Sequence, residues 1–442
     1  MKPVYSGQRS VTDFDRYADP ERAPMTRAEH NGIFTLPGKA LPILLFLALM
    51  IAVPPAQSQS YSVVHPFTGG GDGGYPYFGL TKDRAGNFYG AANVGGAHGY
   101  GVIFKLSPAG SGWMITPLYS FQGGDDGASP MASPIFGPDG ALYGTTSAGA
   151  DNGHGVGTVY RLAPPASSCK TALCEWSETV LYRANTDFGF GVTGQVAFDS
   201  AGKLYGTVGG GGIDEGGYVF QLTPSGGSWM SRVLHEFNPE SGEDCNAPGG
   251  GVVLDAAGNL YGTANTGCVG NNGGVWEVSR SGSGWTESIV RSFNNLTDGN
   301  GSMAGLTPDG HGNFFGTTYD LGPAGGGTVF ELTPSGQGWS FSVVHAFNQN
   351  DQDGRFLTAP VSLDAAGNVY GTTVGCLDYR GTVFKLTPSE NGWTATVLYR
   401  FTGESDGGDP SSNVVMDAGG NLYGTASDDG SHNVGVIWQI TP

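Results

Sequence analysis

One motif recurs seven times along the chain, with the consensus Asp-x-x-Gly-Asn-Leu-Tyr-Gly-Thr. Its aromatic residue marks copies spaced by 54, 62, 56, 54, 55 and 53 residues: Tyr89, Tyr143, Tyr205, Tyr261, Phe315, Tyr370 and Tyr423. A regular period of this length indicates a repeat architecture in which each unit packs against its neighbours. The repeat therefore constrains the fold more than any other feature of the sequence.

Each repeat contains four short runs that are typical of strands. The first ends at the motif aspartate, the second is the Leu-Tyr-Gly-Thr run, and the fourth is of the Val-Leu-Tyr-Ser-Phe type. A turn rich in Pro, Ser and Gly usually separates the third run from the fourth. The third run carries one aromatic at an equivalent position in every copy: Phe104, Tyr160, Phe220, Trp276, Phe330, Phe384 and Trp438. Four antiparallel strands per repeat predict a propeller blade.

The two ends of the repeat region complement each other. Residues 61–67 resemble a fourth strand with no blade before them, and residues 435–442 resemble a third strand with no fourth strand after it. Joining them closes a ring and removes the exposed sheet edges that promote aggregation. The sequence thus predicts an all-β, seven-bladed β-propeller in which residues 61–67 complete the C-terminal blade. A long β-solenoid is the alternative.

The composition agrees with an all-β fold and limits the partners. Glycine accounts for 78 of 442 residues and charged residues for 13%, which disfavours a mainly helical protein. The 50 Phe, Trp and Tyr residues argue against disorder. Because the formal net charge is −19, the surface repels phosphate backbones, and no nucleic-acid partner is expected.

The first part of the chain has the pattern of an export signal. Residues 41–53 are an apolar run that is too short to span a membrane but suits the central region of a signal peptide. We expect residues 1–58 to be an N-terminal extension plus signal peptide, cleaved after Ser58 or Ala56. Residues 59–442 then form a single propeller with no membrane span in the mature chain, located in the periplasm, at the cell surface or outside the cell. An uncleaved membrane anchor is the alternative.

The repeats resemble a known family. The GNLYGT cores, the GTVFKLTP strand at 381–388 and the VLYSF-type strands are similar to the GloVer-type tandem repeats of bacterial secreted and surface proteins. The resemblance covers residues 61–442. It implies a propeller-like repeat domain at or outside the cell surface, and it supplies no catalytic residues.

Two sets of polar residues recur at equivalent positions of the repeats, and we expect both to be structural. The motif aspartate and its Gly-Asn pair are expected to clamp a hairpin, because Asp accepts backbone N–H bonds and Gly or Asn tolerates a positive φ. The three histidines His65, His235 and His345 share one position in the fourth strands, where we interpret them as edge residues.

The loops that follow the fourth strands carry aspartates on one predicted face of the ring. We expect this face to bind the ligand, through Asp126, Asp244, Asp298, Asp353 and Asp406. Carboxylate oxygens also suit calcium as a cofactor, with Asp72, Asp126, Asp298, Asp353 and Asp406 as candidate ligands. The leading interpretation of these residues, ahead of both roles, is that Asp-Gly is simply a favourable turn dipeptide.

Five cysteines are compatible with an oxidising compartment. Cys245 and Cys268 fall in two loops on the same face of one blade, which predicts a disulfide between them. Cys169 and Cys174 lie five residues apart and are predicted to close a small local loop.

No catalytic motif stands out, since the chain lacks an H-E-x-x-H pair and a phosphate-binding loop. The leading hypothesis is a monomeric binding module for a glycan or a protein, without an evident catalytic site. A polysaccharide lyase or glycoside hydrolase on a propeller scaffold is the alternative, and a purely structural envelope component is the third. The fold alone does not decide among them, because propellers carry many unrelated functions.

Overall fold

A computed structural model describes residues 59–442 apart from 150–156, 166–175, 185–190, 193, 213, 243, 337, 349–352 and 376–379. Residues 1–58, and with them the predicted signal peptide, lie outside the described residues. The strands form seven antiparallel sheets arranged as the blades of a β-propeller, which confirms the predicted fold class. We number the strands in chain order, and the blades 1 to 7 from the first complete sheet.

The innermost strands of the blades are short. They are β2 (Leu80–Lys82), β7 (Ile135–Phe136), β11 (Ala197–Phe198), β16 (Val253–Leu254), β20 (Thr307–Pro308), β24 (Ser362–Leu363) and β28 (Val415–Met416). The second strands carry the Leu-Tyr-Gly-Thr motif: β3 (Phe88–Ala92), β8 (Leu142–Ala148), β12 (Leu204–Val208), β17 (Leu260–Gly267), β21 (Phe314–Thr318), β25 (Val369–Thr373) and β29 (Leu422–Ala426).

The third and fourth strands form the outer half of each blade. The third strands are β4 (Val102–Ala109), β9 (Thr158–Ala163), β13 (Tyr218–Ser225), β18 (Gly274–Ser281), β22 (Gly325–Ser335), β26 (Thr382–Ser389) and β30 (Val436–Thr441). The outermost strands are β1 (Ser60–Pro66), β5 (Gly112–Ser120), β10 (Ser177–Arg183), β14 (Ser228–Glu236), β19 (Gly284–Ser292), β23 (Gly338–Asn348) and β27 (Gly392–Arg400).

Three further elements lie in the loops that join neighbouring blades. Strand β6 (Ala128–Pro130) pairs with β8, and β15 (Cys245–Pro248) pairs with β17. A short 3-10 helix, Pro239–Ser241, precedes β15 and is capped by the side chain of Asn238. Within the described part of the chain, no helix has the length and apolar character to cross a membrane.

The N-terminal strand closes the ring as the sequence predicts. Strand β1 pairs antiparallel with β30, with Ser60 opposite Thr441 and Pro66 opposite Val436. Blade 7 therefore takes three strands from the C-terminal end of the chain and its outermost strand from the N-terminal end. This pairing ties the two ends of the repeat region together.

Aromatic residues fill the interfaces between blades. Each of seven apolar clusters combines the motif aromatic of one blade with the third-strand aromatic of the next. The cluster that closes the ring packs Tyr423 of blade 7 with Phe104 of blade 1. Burial of each such side chain stabilises the fold by about 1.5–3 kcal/mol. The prediction that these aromatics pack between neighbouring blades is thus confirmed.

The glycine of the Leu-Tyr-Gly-Thr motif makes room for the third-strand aromatic. At Gly316, an added Cβ would overlap the ring of Phe330, and the same collision arises between Gly262 and Trp276. The motif glycine is therefore required by close approach of a ring to the backbone rather than by a turn.

The threonine of the same motif links adjacent blades by hydrogen bonds. Thr207 donates to the carbonyl oxygen of Gly250 in the next blade at 2.9 Å, and Thr263 donates to that of Ala304 at 2.6 Å. Equivalent bonds run from Thr145, Thr317 and Thr372 to the innermost segments of blades 3, 6 and 7. These bonds hold the innermost segments around the channel and so position the residues at its mouth.

Candidate functional site

The aspartate of the repeated motif clamps the turn between the first two strands of a blade. Asp364 accepts the backbone N–H groups of Ala366 and Asn368 at 2.9 Å, the side-chain amide of Asn368 at 2.7 Å and the hydroxyl of Tyr370 at 3.1 Å. Burial alone would raise the pKa of Asp364, but these hydrogen bonds outweigh it and lower the pKa. The same set recurs at Asp83, Asp255 and Asp417. The motif aspartates therefore have a structural role.

The second copy of the motif keeps the clamp with a different residue. Gly137 stands at the aspartate position, and Asp139, two residues later, accepts the N–H of Ala141 and the hydroxyl of Tyr143. Arg161 pairs with the same carboxylate at 2.7 Å. The carboxylate of Asp139 thus replaces the one that is missing at position 137.

The aspartates that follow the outermost strands are also engaged within their own loops. Asp126 accepts hydrogen bonds from the N–H of Gln122 and the hydroxyl of Tyr119, both at 2.8 Å. Asp406 likewise accepts hydrogen bonds from the N–H of Thr402 and the hydroxyl of Tyr399, both at 2.9 Å. The other loops pair the aspartate with a His or Arg of the preceding strand: His65–Asp72 at 3.0 Å, His235–Asp244 at 3.6 Å, Arg291–Asp298 at 2.6 Å and His345–Asp353 at 3.1 Å. These contacts favour the interpretation of Asp-Gly as a turn, and calcium binding there stays a prediction.

After the aspartate, each of these loops bends toward the channel. Each loop has a residue with positive φ at this bend. These residues are Tyr75, Ser129, Ala247, Gly301, Phe356 and Asp409. Two positions later, each loop reaches the mouth of the channel, where the repeats diverge. The side chains at this one equivalent position are Tyr77, Met131, Gly249, Met303, Thr358 and Ser411.

These residues surround a cavity of about 570 Å³ at the mouth. Its rim also includes Asn265, Asp409 and Asp428. Below it, the channel narrows to a space of about 120 Å³ lined largely by glycine and alanine, including Gly250, Ala304 and Ala359. The mouth has the size of an ordinary small-molecule site, whereas the channel beneath it is too narrow for more than a few water molecules.

One basic residue and three carboxylates form an electrostatic cluster at this mouth. Arg380 lies 3.1 Å from carboxylate oxygens of Asp409 and Asp428 and 3.0 Å from one of Asp429. Burial raises the pKa of Asp409, Arg380 lowers it, and the two neighbouring aspartates raise it again, so that the pKa lies above its ordinary value. The cluster carries more carboxylates than cations, which disfavours anionic ligands.

The aspartates predicted to bind a ligand lie on the loops that line this cavity, but the cavity is lined by other residues of those loops. Asp126, Asp244, Asp298, Asp353 and Asp406 are absent from the described lining of the mouth, whereas Asp409, three residues after Asp406, belongs to it. Sequence reasoning missed Arg380 and Asp409 because neither recurs in other repeats. Asp428 was missed as well, since its one counterpart is Asp320 of blade 5. Departure from the repeat pattern was the one signal that could have found them.

The structure joins Cys245 and Cys268 in a disulfide, with a Cα–Cα distance of 4.0 Å. Cys245 takes the position that glycine occupies after the loop aspartate in five other copies. One of these is Gly299, which has a φ of 104° and no room for a Cβ beside Thr318. The predicted Cys169–Cys174 disulfide lies outside the described residues.

Comparison with known proteins identifies the family of the chain. The model of the Gloeobacter/Verrucomicrobia repeat matches residues 52–276 and 247–442, so the chain belongs to this repeat family. The match agrees with the resemblance inferred from the sequence. None of the curated proteins matches the chain.

Solved structures share the fold at low sequence identity. The extracellular domain of a protein described as a one-component system from B. thetaiotaomicron has a TM-score of 0.51 and 11% identity, over 85% of this chain and 39% of that one. This chain thus spans about two fifths of that domain. A protein described as a 6-phosphogluconolactonase from Bacteroides uniformis has a TM-score of 0.47 and 12% identity, over 73% and 83% of the two chains. One described as an oxidoreductase (glucose dehydrogenase) from Thermus thermophilus has a TM-score of 0.41 and 16% identity, over 87% and 100%.

Proposed function

We propose that this protein is an extracytoplasmic binding module that takes a neutral glycan at the mouth of its central channel. The observation that carries the proposal is the divergence of the repeats at that mouth. Six equivalent positions present a tyrosine, two methionines, a threonine, a serine and a glycine around one cavity. A structural role alone would favour the same residue in every blade, as the motif aspartates illustrate.

The chemistry of the mouth fits a sugar better than a charged ligand. The ring of Tyr77 is 37% exposed and offers an apolar face with a polar tip. Asn265 and Ser411 provide an amide and a hydroxyl group for the edges of a sugar ring. A sugar likewise combines an apolar ring face with a rim of hydroxyl groups.

The carboxylates at the mouth favour binding over hydrolysis. A glycoside hydrolase needs one carboxyl that donates a proton and a second that acts as base or nucleophile. Arg380 contacts carboxylate oxygens of Asp409, Asp428 and Asp429, so each of the three carboxyl groups is already engaged with a cation. They are suited to accept hydrogen bonds from sugar hydroxyls.

An extracytoplasmic location follows from the apolar run at residues 41–53 and fits the Cys245–Cys268 disulfide. We also expect the protein to act as a monomer, because β1 finds its partner strand, β30, within the same chain and needs none from a second copy.

Glycan-array screening followed by titration calorimetry tests the proposal. A neutral oligosaccharide should bind the wild-type protein, and Tyr77→Ala should weaken binding at least about tenfold, which corresponds to about 1.4 kcal/mol. Tyr100→Ala is the matched control, since Tyr100 is 48% exposed and does not belong to the described lining of the mouth. Absence of binding across neutral glycans, or equal loss in both variants, would overturn the proposal. Release of reducing ends from a bound glycan would replace it with hydrolysis.

A further inference from the structure

Within the described residues, six of the junctions between blades contain a slot built from three equivalent positions. The first position lies on the outermost strand of a blade, opposite the residue that precedes the third-strand aromatic. His235, which pairs with Val219, is an example. The second is the aspartate of the loop that follows. The third is a residue of the next outermost strand, as Glu287, which pairs with Val278. We call this arrangement the interblade slot.

The slot between blades 3 and 4 differs from the others in its residues. It holds His235, Asp244 and Glu287, and one ligand atom from each lies within 4.8 Å of the other two. Among the described residues this is the one group of three such side chains that could hold a metal ion. The occupants elsewhere, read from the same positions, include Tyr119, Asp126 and Glu178, or His345, Asp353 and Ala395.

The polar atoms of this slot lack partners, although they are buried. Nε2 of His235, Oδ1 of Asp244 and Oε1 of Glu287 have almost no exposed surface and accept or donate no hydrogen bond. The His235–Asp244 separation of 3.6 Å exceeds the 3.0–3.1 Å of the equivalent pairs His65–Asp72 and His345–Asp353. Burying three unpaired polar atoms together costs several kcal/mol, unless a further group binds between them.

The surroundings hold two of the three side chains in place. Asp244 accepts the N–H of Asn238 at 2.9 Å through Oδ2, and its carbonyl accepts the N–H of Cys268 at 2.7 Å. The adjacent residue, Cys245, is fixed by its disulfide to Cys268. The ring of Phe237 packs edge-on against that of His235, with centroids 4.8 Å apart. The ligand atoms of His235 and Asp244 are therefore oriented before an ion binds.

From this convergence we propose that His235, Asp244 and Glu287 bind a divalent transition-metal ion of the zinc type between blades 3 and 4. One imidazole nitrogen and two carboxylate oxygens are ligands that Zn²⁺ accepts, with water completing a tetrahedral site. Calcium and magnesium prefer oxygen ligands alone. The two carboxylates also balance the charge of the ion. Because the ligands come from two blades, the ion acts as a cross-link that stabilises the folded ring.

The first test measures zinc content and stability in the purified full-length protein without a histidine tag. After removal of metal with EDTA and dialysis against Zn²⁺, mass spectrometry should find one zinc ion per chain, and the melting temperature should rise by several degrees. The replacement of Zn²⁺ by Co²⁺ should produce visible absorption bands typical of a four-coordinate site. Calcium should bind more weakly. A wild-type protein without bound zinc would overturn the proposal.

Three variants identify the ligands. His235→Tyr introduces the residue that Tyr119, Tyr182 and Tyr399 supply in other blades, and Glu287→Gln keeps the shape of the side chain. Each should weaken zinc binding more than about 100-fold and abolish the zinc-dependent rise in melting temperature. His345→Tyr is the control. Its slot has Ala395, which offers no ligand atom, at the third position, so this substitution should leave the zinc content unchanged. Undiminished zinc binding in folded His235→Tyr and Glu287→Gln proteins would place the ion elsewhere and overturn the assignment.

Discussion

Nε2 of His345 lies 3.1 Å from Oδ2 of Asp353, so that an outermost strand is tied to the loop that leaves it. The same tie recurs around the ring with different donors, from Tyr119 to Asp126 and from Tyr399 to Asp406. The loop aspartate thus fixes the start of the segment that bends toward the channel mouth. A carboxylate far from the ligand can in this way support the shape of the binding cavity.

The stability of the fold should depend on this tie. We expect Asp126→Ala to lower the free energy of unfolding by about 1–3 kcal/mol, because it leaves the N–H of Gln122 and the hydroxyl of Tyr119 without their acceptor. The neighbouring Asp125→Ala should change it by less than about 0.5 kcal/mol, since that side chain is exposed. Urea unfolding of the three proteins provides the comparison. Equal effects of the two substitutions would contradict the structural role of Asp126.

Calcium should have little effect on the wild-type protein. Each carboxylate proposed as a ligand, at Asp72, Asp126, Asp298, Asp353 and Asp406, already accepts hydrogen bonds within its own loop. We therefore expect excess calcium to shift the melting temperature by no more than about 1 °C relative to chelator, measured with zinc absent. A rise of several degrees that Asp126→Ala removes would instead establish calcium sites in these loops.

The motif clamps should make the fold sensitive to acid. Hydrogen bonds lower the pKa of Asp364, and likewise that of Asp83, Asp309 and Asp417, in spite of burial. A lowered folded pKa gives stability that is complete above the unfolded value of about 3.9 and is lost as the pH falls through the folded value. Asp364→Asn should reduce the loss between pH 6 and pH 3 by a few tenths of a kcal/mol, a small figure because solvent screens this largely exposed carboxylate. Chemical denaturation at several pH values measures the slope, and an unchanged slope in Asp364→Asn would contradict the prediction.

Glu178 should have the opposite effect on stability. Burial, and next the charge of Asp126, raise its pKa to about 7. A folded pKa above the unfolded value of about 4.3 means that stability falls as the pH rises from about 4 to 7 and levels off above that. Glu178→Gln should therefore stabilise the protein at pH 8 by about 1 kcal/mol, a figure reduced for partial exposure of the carboxyl, and have little effect at pH 4. The exposed Glu390→Gln serves as control, and a pH-independent effect of Glu178→Gln would rule out this cause.

The repeat pattern was sufficient to predict the blades and their closure, because every blade needs the same clamp and the same interface aromatic. It placed the closing strand within one residue of Ser60–Pro66. The channel mouth was not predictable in this way. Arg380, Asp409 and Asp428 come from three loops and two blades, and a repeat analysis averages such single departures away. The slot of His235 and Glu287 was missed for a different reason. Each residue also occurs at the same position of another repeat, as His345 and Glu178 do, and only their combination distinguishes this slot.

The equivalence of the interblade slots leads to a final prediction, that a second zinc site can be introduced between blades 5 and 6. His345 and Asp353 are already present there, and Ala395 pairs with Leu386 as Glu287 pairs with Val278. Ala395→Glu should supply the missing carboxylate and raise the zinc content from one ion to two per chain. The double variant Ala395→Glu with His345→Tyr should return to one ion, which separates a built site from non-specific binding to an added charge. If the folded Ala395→Glu protein still bound one zinc ion per chain, the backbone of this slot would differ from that of the slot between blades 3 and 4.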